Sequence, residues 1–379
     1  MTGRTAVLGS ADVEDAVLAG MVAAQLGVDE VAVTSSCAEV VPYDLPALTT
    51  GGRFWVRGTA RHGCTEAPYA FFVKLVQSWA RSPLFEFVPA GLREHALATV
   101  PWRREPDVYR SDLDNRLPDG LRLPRSFGVF DIDDMSASLW LAVVDAAPVH
   151  WDVQRHATAA HLLGRLAARE VVAPIAELGA VPQPARTYAS GRVQHAVAPA
   201  LLGDEIWSHP LVAQTFDGAL RDRLRDTIGR LPAMLDELDA MPVGTLHGDA
   251  CTRNLLVEPS RDGFVLIDFG FWGRGPFGFD LTQLLLGEVQ MGERPADELP
   301  ELERVCLAAY VEGMRAEGTE IPEGTVARSH ALLALLFSGL SAVPFEHLGD
   351  PVTDELLRVS RERAAAATFL LDLVDATDS

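Results

Sequence analysis

The segment that most limits the possible fold covers residues 246–270. It places His247, Asp249 and Asn254 within eight residues of one another, and Asp268 follows Asn254 by fourteen positions. Two apolar runs lie between Asn254 and Asp268, joined by the turn-forming residues Pro-Ser-Arg-Asp-Gly, and this composition predicts a β-hairpin. Because a hairpin brings its two ends together, we expect Asn254 to lie beside Asp268.

These residue types suit the transfer of a phosphoryl group from a nucleotide to an alcohol. That reaction needs a carboxylate beside the incoming hydroxyl and oxygen ligands that hold Mg²⁺ against the phosphates. We assign the carboxylate to Asp249 and the two Mg²⁺ ligands to Asn254 and Asp268, whose amide and carboxylate oxygens suit a hard cation. Taken alone, His247 would more often be a core histidine and Asp249 a turn residue. The four residue types at these offsets indicate one site.

The pattern His-x-Asp-x-x-x-x-Asn followed by Asp-Phe-Gly resembles the catalytic and metal loops of the protein-kinase-like superfamily, and most closely those of the aminoglycoside phosphotransferases and related small-molecule kinases. The resemblance implies an α+β, two-lobed fold, with a small antiparallel β-sheet and one helix in the amino-terminal lobe and a larger, mostly helical carboxy-terminal lobe. Apolar periodicity predicts helices in the larger lobe over 154–169, 216–238, 299–314, 326–340 and 353–374. It also implies that ATP or GTP and Mg²⁺ are the cofactors, and that His247 supports the catalytic loop. We predict a nucleotide-binding lobe over residues 1–145 and a catalytic and acceptor-binding lobe over 146–379.

A single lysine, Lys74, stands among 31 arginines. A lysine ammonium is a compact point charge that fits close to phosphate oxygens, whereas the arginine guanidinium forks across carboxylates. Lys74 lies in an aromatic and β-branched run that predicts a strand. It resembles the lysine of the third kinase strand, which holds the α- and β-phosphates. The alternative is that Lys74 is a leftover lysine on a solvated face.

In the family that this chain resembles, a glutamate from the next helix holds that lysine. Glu105 is the best match, although Pro106 disfavours a continuous helix through this point, so that the helix either starts at Pro106 or is kinked there. Glu94 is the second candidate. For both glutamates the alternative is an exposed helix face.

Two further segments are candidates for nucleotide contacts. Thr49, Thr50, Gly51 and Gly52 lie in a stretch that joins two predicted strands, where small residues let backbone amides approach phosphates, although a plain hairpin turn has the same composition. Another strand, further along the chain than that of Lys74, is predicted to end at Val144 before a proline and a helix. We therefore predict a hinge at Val143 and Val144, whose backbone would bind the nucleobase.

Other functions fit the sequence less well. A Gly-x-Gly-x-x-Gly pattern at 273–278 would suggest a dinucleotide-binding oxidoreductase, but a proline interrupts it and helical periodicity follows it. A dinuclear metallohydrolase could use His247 and Asp249 as ligands, but only two histidines remain downstream of Asn254. A non-catalytic nucleotide-binding protein is disfavoured because the lysine, both aspartates and the asparagine are present.

The length of one segment favours a small-molecule acceptor over a protein. Only nine residues separate Gly270 from Asp280, whereas a protein kinase needs a long activation segment on which to lay a peptide. Gly248 also stands where regulated protein kinases carry an arginine. Asp280 matches an aspartate that steadies the catalytic loop in the family, and an N-cap of the following helix is the alternative.

The formal net charge is −21, of which residues 151–379 carry −15. This charge disfavours nucleic-acid and anionic membrane partners. It would attract a cationic acceptor such as an aminoglycoside, with the acidic residues from 288 to 301 as a rim, although a solvated surface is the favoured explanation. Four well-separated cysteines and the lack of a signal or membrane segment lead us to expect a cytoplasmic protein, monomeric or homodimeric. The expected acceptor is an aminoglycoside or another hydroxylated antibiotic, and choline, an amino-alcohol or a sugar is the alternative.

Overall fold

The computed structural model of the chain describes residues 3–42, 47–178, 183–259 and 261–378. Five of its strands form an antiparallel sheet in the order β1-β2-β3-β6-β5, β4, β9 and β8 form a second sheet, and β10 pairs with β7. The strands are β1 (Ala32–Val40), β2 (Thr50–His62), β3 (Thr65–Gln77), β4 (Leu121–Arg122), β5 (Ser126–Asp133), β6 (Ser136–Ala142), β7 (Val243–Leu246), β8 (Leu255–Leu256), β9 (Phe264–Leu266) and β10 (Gly273–Pro276).

Helices flank the large sheet and make up most of the chain after residue 152. The α-helices are α1 (Arg4–Leu8), α2 (Asp15–Leu26), α3 (Arg93–Thr99), α4 (Arg104–Arg110), α5 (Val153–Ala168), α6 (Ala173–Ala176), α7 (Pro184–Tyr188), α8 (Ala198–Leu202), α9 (Glu205–Ser208), α10 (Pro210–Ala213), α11 (Gly218–Ala240), α12 (Phe279–Gln290), α13 (Leu299–Ala316), α14 (Glu323–Ala334) and α15 (Asp354–Ala376). π-helical turns at Ala189–Val197 and Leu335–Gly339 join α7 to α8 and extend α14. None of the described helices has both the length and the apolar character that crossing a bilayer requires.

The large sheet has two different faces because alternate residues of a strand point to opposite sides. Val56 of β2 and Phe71 of β3 are fully buried in one cluster with Leu18 and Val22 of α2. The outer face of the sheet is therefore covered by the amino-terminal helices. On both strands the intervening residues lie on the opposite face, as do Arg53 and Trp55 of β2 and Lys74 of β3. This inner face is directed toward the rest of the molecule.

The amino-terminal part carries more helix than the sequence predicts. We expected one helix beside the sheet, but α1 and α2 precede it and α3 and α4 follow β3. The apolar and small residues of α2 are spread around the helix, so its sequence lacks the contrast between faces by which an amphipathic helix is recognised.

The helices after residue 152 follow the predicted apolar periodicity. Helices were expected over 154–169, 216–238, 299–314, 326–340 and 353–374, and α5, α11, α13, α14 with its π-helical extension, and α15 occupy these ranges. Helices α5 and α13 cross at a pair of glycines. A Cβ on Gly164 would lie 2.0 Å from the carbonyl oxygen of Tyr310, and one on Gly313 would lie 2.0 Å from that of His161. The two backbones are therefore in direct contact, and together these helices form the centre of the larger core.

Candidate active site

The predicted hairpin is present and forms the base of the site. Strand β8 pairs with β9 in antiparallel register, and the Ile267 amide donates a hydrogen bond to the Asn254 carbonyl at 3.1 Å. This last hydrogen bond holds the residues just outside the hairpin, Asn254 and Asp268, at the same end. In the predicted turn, Ser260 lies outside the described residues.

Asn254 is hydrogen-bonded directly to Asp249. Its side-chain Nδ2 donates to Asp249 Oδ2 at 3.0 Å and to the Asp249 carbonyl at 2.9 Å. These contacts fix the amide orientation, so the oxygen Oδ1 is the atom that Asn254 can offer to a cation. Burial, together with the nearby negative charge of Asp268, raises the pKa of Asp249 to about 6. Asp249 is therefore a stronger base than an ordinary aspartate.

His247 supports the loop from a fully buried position. Its Nε2 lies 3.0 Å from the Ile267 carbonyl, which can only accept, and its Nδ1 accepts a hydrogen bond from the Asp249 amide at 3.3 Å. Burial lowers the pKa of His247 to about 4, so the ring is neutral, and it packs against Phe269 with a centroid distance of 5.1 Å. Both ring nitrogens are engaged by the backbone, which leaves neither for a metal ion or a substrate.

Asp280 holds the loop that carries His247, Gly248 and Asp249 by its backbone. Its two carboxylate oxygens accept hydrogen bonds from the amides of His247 at 2.9 Å and Gly248 at 2.8 Å. The residue before α12 is Gly278, and no side chain caps this helix. Of the two roles considered for Asp280, the structure therefore favours the one that steadies the loop.

Gly248 occupies a position that only glycine fits easily. Its φ of +86° lies in the left-handed region, and a Cβ at this position would lie 2.1 Å from the carbonyl oxygen of Phe271. The catalytic loop thus passes directly over the segment that follows Asp268. This packing excludes an arginine side chain at position 248.

Lys74 joins the large sheet to both α4 and the hairpin. Its Nζ lies 2.6 Å from Glu105 Oε2 and 3.1 Å from Asp268 Oδ1, and the side chains of Lys74 and Glu105 are 6% and 4% exposed. Burial alone would lower the pKa of Lys74, but the carboxylates of Glu105 and Asp268 outweigh it and raise that pKa, so the ammonium stays charged.

The choice between Glu105 and Glu94 is resolved by where the helices begin. Helix α4 starts at Arg104, so Pro106 falls in its first turn, where the missing backbone N–H breaks no helical hydrogen bond. The helix therefore starts two residues before Pro106, whereas the sequence predicts a start at Pro106 or a kink there. Glu94 lies exposed on α3.

Asp268 adopts a backbone conformation that is uncommon for a residue other than glycine. Its φ is +65°, in the left-handed region, which aspartate tolerates better than most residues. Its Oδ1 faces Lys74, and its Oδ2 lies 3.8 Å from Nη2 of Arg53. Burial opposes ionisation, but the positive charge of Lys74 and, to a smaller degree, that of Arg53 lower the pKa of Asp268. The carboxylate therefore remains available as a charged metal ligand.

The predicted nucleotide loop is partly strand. Thr50, Gly51 and Gly52 are the first residues of β2 rather than part of a connecting turn, and only Thr49 precedes the strand. A β-bulge interrupts the register between Thr50 and Gly52, and the following residue, Arg53, pairs with Lys74. A bulge keeps a strand connected while it bends the backbone, which explains why glycines in this stretch look like a turn in the sequence.

The predicted hinge follows β6 directly. The strand ends at Ala142 rather than at Val144, and Val143 and Val144 begin an irregular segment that continues to α5. Leu141 pairs with Phe72, so the start of this segment lies next to the centre of β3.

Several residues of the cleft were not identified from the sequence. Trp55 and Phe72, paired across β2 and β3, form an edge-to-face aromatic contact at 5.2 Å on the inner face. Tyr109 of α4 packs edge-on against Phe269 at 5.7 Å. Arg53 is the third case. Only the register between β2 and β3 reveals that Arg53 and Trp55 share a face with Lys74, and a single strand's alternation could not identify its neighbours.

The donor atoms fit a hard divalent cation. Asn254 offers an amide oxygen and Asp268 an ionised carboxylate, and such ligands suit Mg²⁺, which keeps several of its waters. Among the described residues, no group of three or more histidine, cysteine, aspartate or glutamate side chains is arranged to hold a metal ion by itself. A cation here would therefore need further ligands from water and from the phosphates of a nucleotide.

The predicted acidic rim is partly paired with arginines. Glu288 pairs with Arg294 at 2.8 Å, and Glu298 pairs with the same arginine. Glu293 pairs with Arg253 of the catalytic loop. Because three carboxylates of the rim are engaged in ion pairs, its attraction for a cationic acceptor is weaker than the sequence suggests.

Comparison with known proteins supports the interpretation of this site. Residues 152–317 match the phosphotransferase enzyme family. This region contains the whole hairpin, Asp249 and Asp280, and the match confirms the resemblance that the catalytic pattern indicates. No curated protein sequence matches the chain.

Solved structures of phosphotransferases align with most of the chain. The GDP and kanamycin complex of APH(2")-IIia aligns with a TM-score of 0.50 at 15% identity, over 95% of this chain and 98% of that one. Amicoumacin kinase hAmiN, with AMP-PNP, Ca²⁺ and Ami, aligns at 0.47 with 12% identity over 89% and 88%. Aminoglycoside phosphotransferase APH(3'')-Id from Streptomyces rimosus aligns at 0.40 with 18% identity over 86% and 99%. The first of these establishes the α+β fold expected from the sequence.

Proposed function

We propose that the protein transfers the terminal phosphoryl group of ATP or GTP to a hydroxyl of a small molecule, with Mg²⁺ as the metal. One observation carries the proposal. Lys74, Asp268, Asn254 and Asp249, which come from distant parts of the chain, are joined in one cleft by direct polar contacts or by the base of one hairpin. Phosphoryl transfer requires these four functions together.

Each residue has a defined task in this reaction. The Lys74 ammonium, held by Glu105, neutralises phosphate oxygens. Asn254 and Asp268 would hold the metal ion, which supplies positive charge against the charge that develops on the transferred group. The oxygen of the acceptor hydroxyl bonds to the terminal phosphorus as the bond to the bridging oxygen breaks, and the hydroxyl proton goes to Asp249. His247 and Asp280 only position this loop.

The amino-terminal residues supply the rest of the nucleotide site. Thr49, Thr50, Gly51 and Gly52 would approach the phosphates with their backbone amides. The backbone at Val143 and Val144 would bind the edge of the nucleobase, whose ring could then pack against the aromatic pair on the inner face of the sheet. This division corresponds to lobes over residues 1–145 and 146–379.

The short segment after Asp268 supports a small acceptor. Residues 273–276 form β10, which pairs with β7 directly beside the catalytic loop, and α12 starts at Phe279. A segment folded this tightly offers no extended surface for a peptide. The same strand also removes the Gly-x-Gly-x-x-Gly pattern from consideration, because its first four residues are strand and not a phosphate-binding turn.

An aminoglycoside or another hydroxylated antibiotic is our first candidate acceptor, and choline, an amino-alcohol or a sugar is the alternative. One scaffold serves many acceptors, so the fold does not choose between them. The solved relative with bound GDP and kanamycin suggests that both nucleotides and aminoglycosides belong in the first test. A dinuclear metallohydrolase is disfavoured because both nitrogens of His247 are engaged by the backbone. Cytoplasmic location and a monomeric or homodimeric state remain predictions.

The decisive experiment is a screen for acceptor-dependent release of ADP or GDP. Aminoglycosides, other hydroxylated antibiotics, choline, ethanolamine and sugars are each offered with ATP or GTP and Mg²⁺, and Asp249→Asn serves as the blank. Release that requires one acceptor and is lost in the blank supports the transferase. Release that is independent of acceptor, or equal in the blank, would end the proposal.

Salt dependence then separates the acceptor classes. If the acceptor is a polycation attracted by the charge of the protein, kcat/KM falls as ionic strength rises, because charges further apart than about 10 Å are screened at 0.1 M salt. For a neutral sugar, kcat/KM changes little. The pairing of the rim carboxylates with arginines favours the weaker dependence.

A further inference from the structure

Arg53 lies outside the predicted site, but its side chain points at Asp268, one of the two predicted metal ligands. Its side chain is 14% exposed, and its Nη2 lies 3.8 Å from Asp268 Oδ2. Lys74 occupies the other oxygen of the same carboxylate at 3.1 Å. Asp268 therefore lies between two cations, although a metal-binding carboxylate needs its oxygens for the metal.

The position of Arg53 on β2 explains how it reaches this place. It pairs with Lys74 across β2 and β3, so both side chains leave the sheet on the inner face. It also follows Gly51 and Gly52 directly, where we expect backbone amides to approach the phosphates. Arg53 is thus close to both parts of the proposed phosphate site. One part is the backbone of β2 at Gly51 and Gly52, and the other is the metal ligand Asp268.

We propose that Arg53 is a second phosphate-binding cation, which exchanges Asp268 for a phosphate oxygen when nucleotide and metal bind. This inference rests on the proposed function. When a divalent cation binds the Asp268 carboxylate, that carboxylate attracts the Arg53 guanidinium less strongly. The phosphates at the same time bring new negative charge into the cleft. A guanidinium binds two phosphate oxygens with parallel hydrogen bonds, which the single ammonium of Lys74 cannot do. Arg53 would therefore orient the phosphate chain as well as neutralise it.

Binding measurements without turnover test this assignment. Isothermal titration calorimetry with Mg²⁺ compares the β,γ-imido analogues of ATP and GTP, ADP, GDP and the two nucleosides. For Arg53→Met we expect the phosphate-containing ligands to bind about 10- to 100-fold more weakly, as for loss of hydrogen bonds between charged groups, and the nucleosides to bind as before. Arg53→Lys keeps the charge but lacks the two parallel N–H donors. Its affinity for the phosphate-containing ligands should lie between those of Arg53→Met and the unchanged protein.

Arg61 provides the matched control. It is an exposed arginine on the same strand, about 26 Å further along at 3.3 Å per residue, and pairs in register with Glu66. Arg61→Met should bind every ligand as the unchanged protein does. If Arg53→Met also leaves all affinities unchanged, or weakens nucleosides as much as nucleotides, Arg53 is not a phosphate ligand.

Metal binding without nucleotide tests the exchange with the opposite sign. Mn²⁺ followed by electron paramagnetic resonance should bind several-fold more tightly to Arg53→Met, because a cation that competes for Asp268 has been removed. Weaker Mn²⁺ binding in this variant would overturn the exchange. Failure of the proposed function gives a different result, because the unchanged protein would then either bind neither nucleotide analogue or bind them without acceptor-dependent release of ADP or GDP from the natural nucleotides.

Discussion

Lys74 and Asp268, which are 194 positions apart in the chain, form a direct ion pair of 3.1 Å across the cleft. The same ammonium lies 2.6 Å from Glu105. One cation therefore connects the large sheet, α4 and the hairpin.

Replacement of Lys74 by arginine should leave the protein folded and nearly inactive. The longer, planar guanidinium cannot take the place of an ammonium whose side chain is 6% exposed and in contact with two carboxylates. We expect kcat to fall by at least about 100-fold, the cost of roughly 3 kcal/mol of lost transition-state stabilisation. Circular dichroism checks folding. Turnover near the normal rate would remove Lys74 from the site.

The pH profile should report the ionisation of Asp249. Its carboxylate must be deprotonated to accept the hydroxyl proton, and its pKa is raised to about 6. We therefore expect kcat/KM to fall about tenfold per pH unit below pH 6 and to be level above it. Burial also raises the pKa of Asp280 to about 6, so Asp280→Asn is the control. If that variant, although slower, keeps an acidic limb, moved to somewhat lower pH because the charge of Asp280 helps to raise the pKa of Asp249, then Asp249 is the titrating group.

Asp249→Asn should make the protein more stable while it abolishes activity. A carboxyl whose folded pKa is raised above its unfolded value favours the fold at low pH, and this contribution is lost as pH rises through about 6. At pH 8 the ionised, buried Asp249 therefore costs stability that the amide does not. We expect Tm to rise by roughly 2–5 °C at pH 8, and by almost nothing at pH 4. The exposed Asp29→Asn should show no such difference, and an equal or lower Tm of Asp249→Asn at pH 8 would contradict the argument.

Gly248→Ala and Gly270→Ala should differ sharply in stability. At Gly248 an alanine would combine a φ of +86° with a Cβ 2.1 Å from a backbone oxygen. At Gly270 the nearest atom to a new Cβ is Asp268 Oδ1 at 3.8 Å, an ordinary contact. We expect Gly248→Ala to lose about 2–4 kcal/mol in urea unfolding and Gly270→Ala less than about 1 kcal/mol. Equal losses would show that the loop can move away from Phe271.

The metal requirement should depend on Asn254. Removal of divalent ions with a chelator should stop turnover, and added Mg²⁺ should restore it. In Asn254→Ala, which lacks the amide oxygen, the Mg²⁺ concentration for half-maximal rate should rise by about tenfold or more, as for loss of one ligand. Thr245→Ala, a buried position on the neighbouring β7, is a control for packing. An unchanged Mg²⁺ requirement in Asn254→Ala would remove it from the ligand set.

Local sequence patterns predicted the parts of the site that depend on neighbours in the chain. The hairpin that joins Asn254 to Asp268 follows from two apolar runs and a turn, and helices such as α5 and α13 follow from their apolar periodicity. Lys74 stood out because the chain has no other lysine. For the hairpin and the helices the deciding information lies within a short stretch of the chain, and for Lys74 it lies in the composition of the whole chain.

What the sequence could not predict depends on contacts between distant segments. The position of Arg53 beside Asp268 requires the register of β2 against β3, and the neutralisation of Glu288 requires the fold of the loop that carries Arg294. Two predicted strand boundaries were wrong by two or three residues. Strand β2 begins earlier, at Thr50, because a bulge has the composition of a turn, and β6 ends earlier, at Ala142, because an extended hinge has the composition of a strand. Helix α2 was missed because its apolar residues surround it.

The amino-terminal helices have a practical consequence for work with this protein. Leu8, Leu18 and Val22 cover Val56 and Phe71, so a chain shortened to begin at β1 would expose a continuous apolar sheet face to water. Large exposed patches of this kind promote self-association. Shortened variants of this protein should therefore keep α1 and α2. Affinity tags or fluorescent labels are better attached after α15, at the opposite end of the chain from these helices.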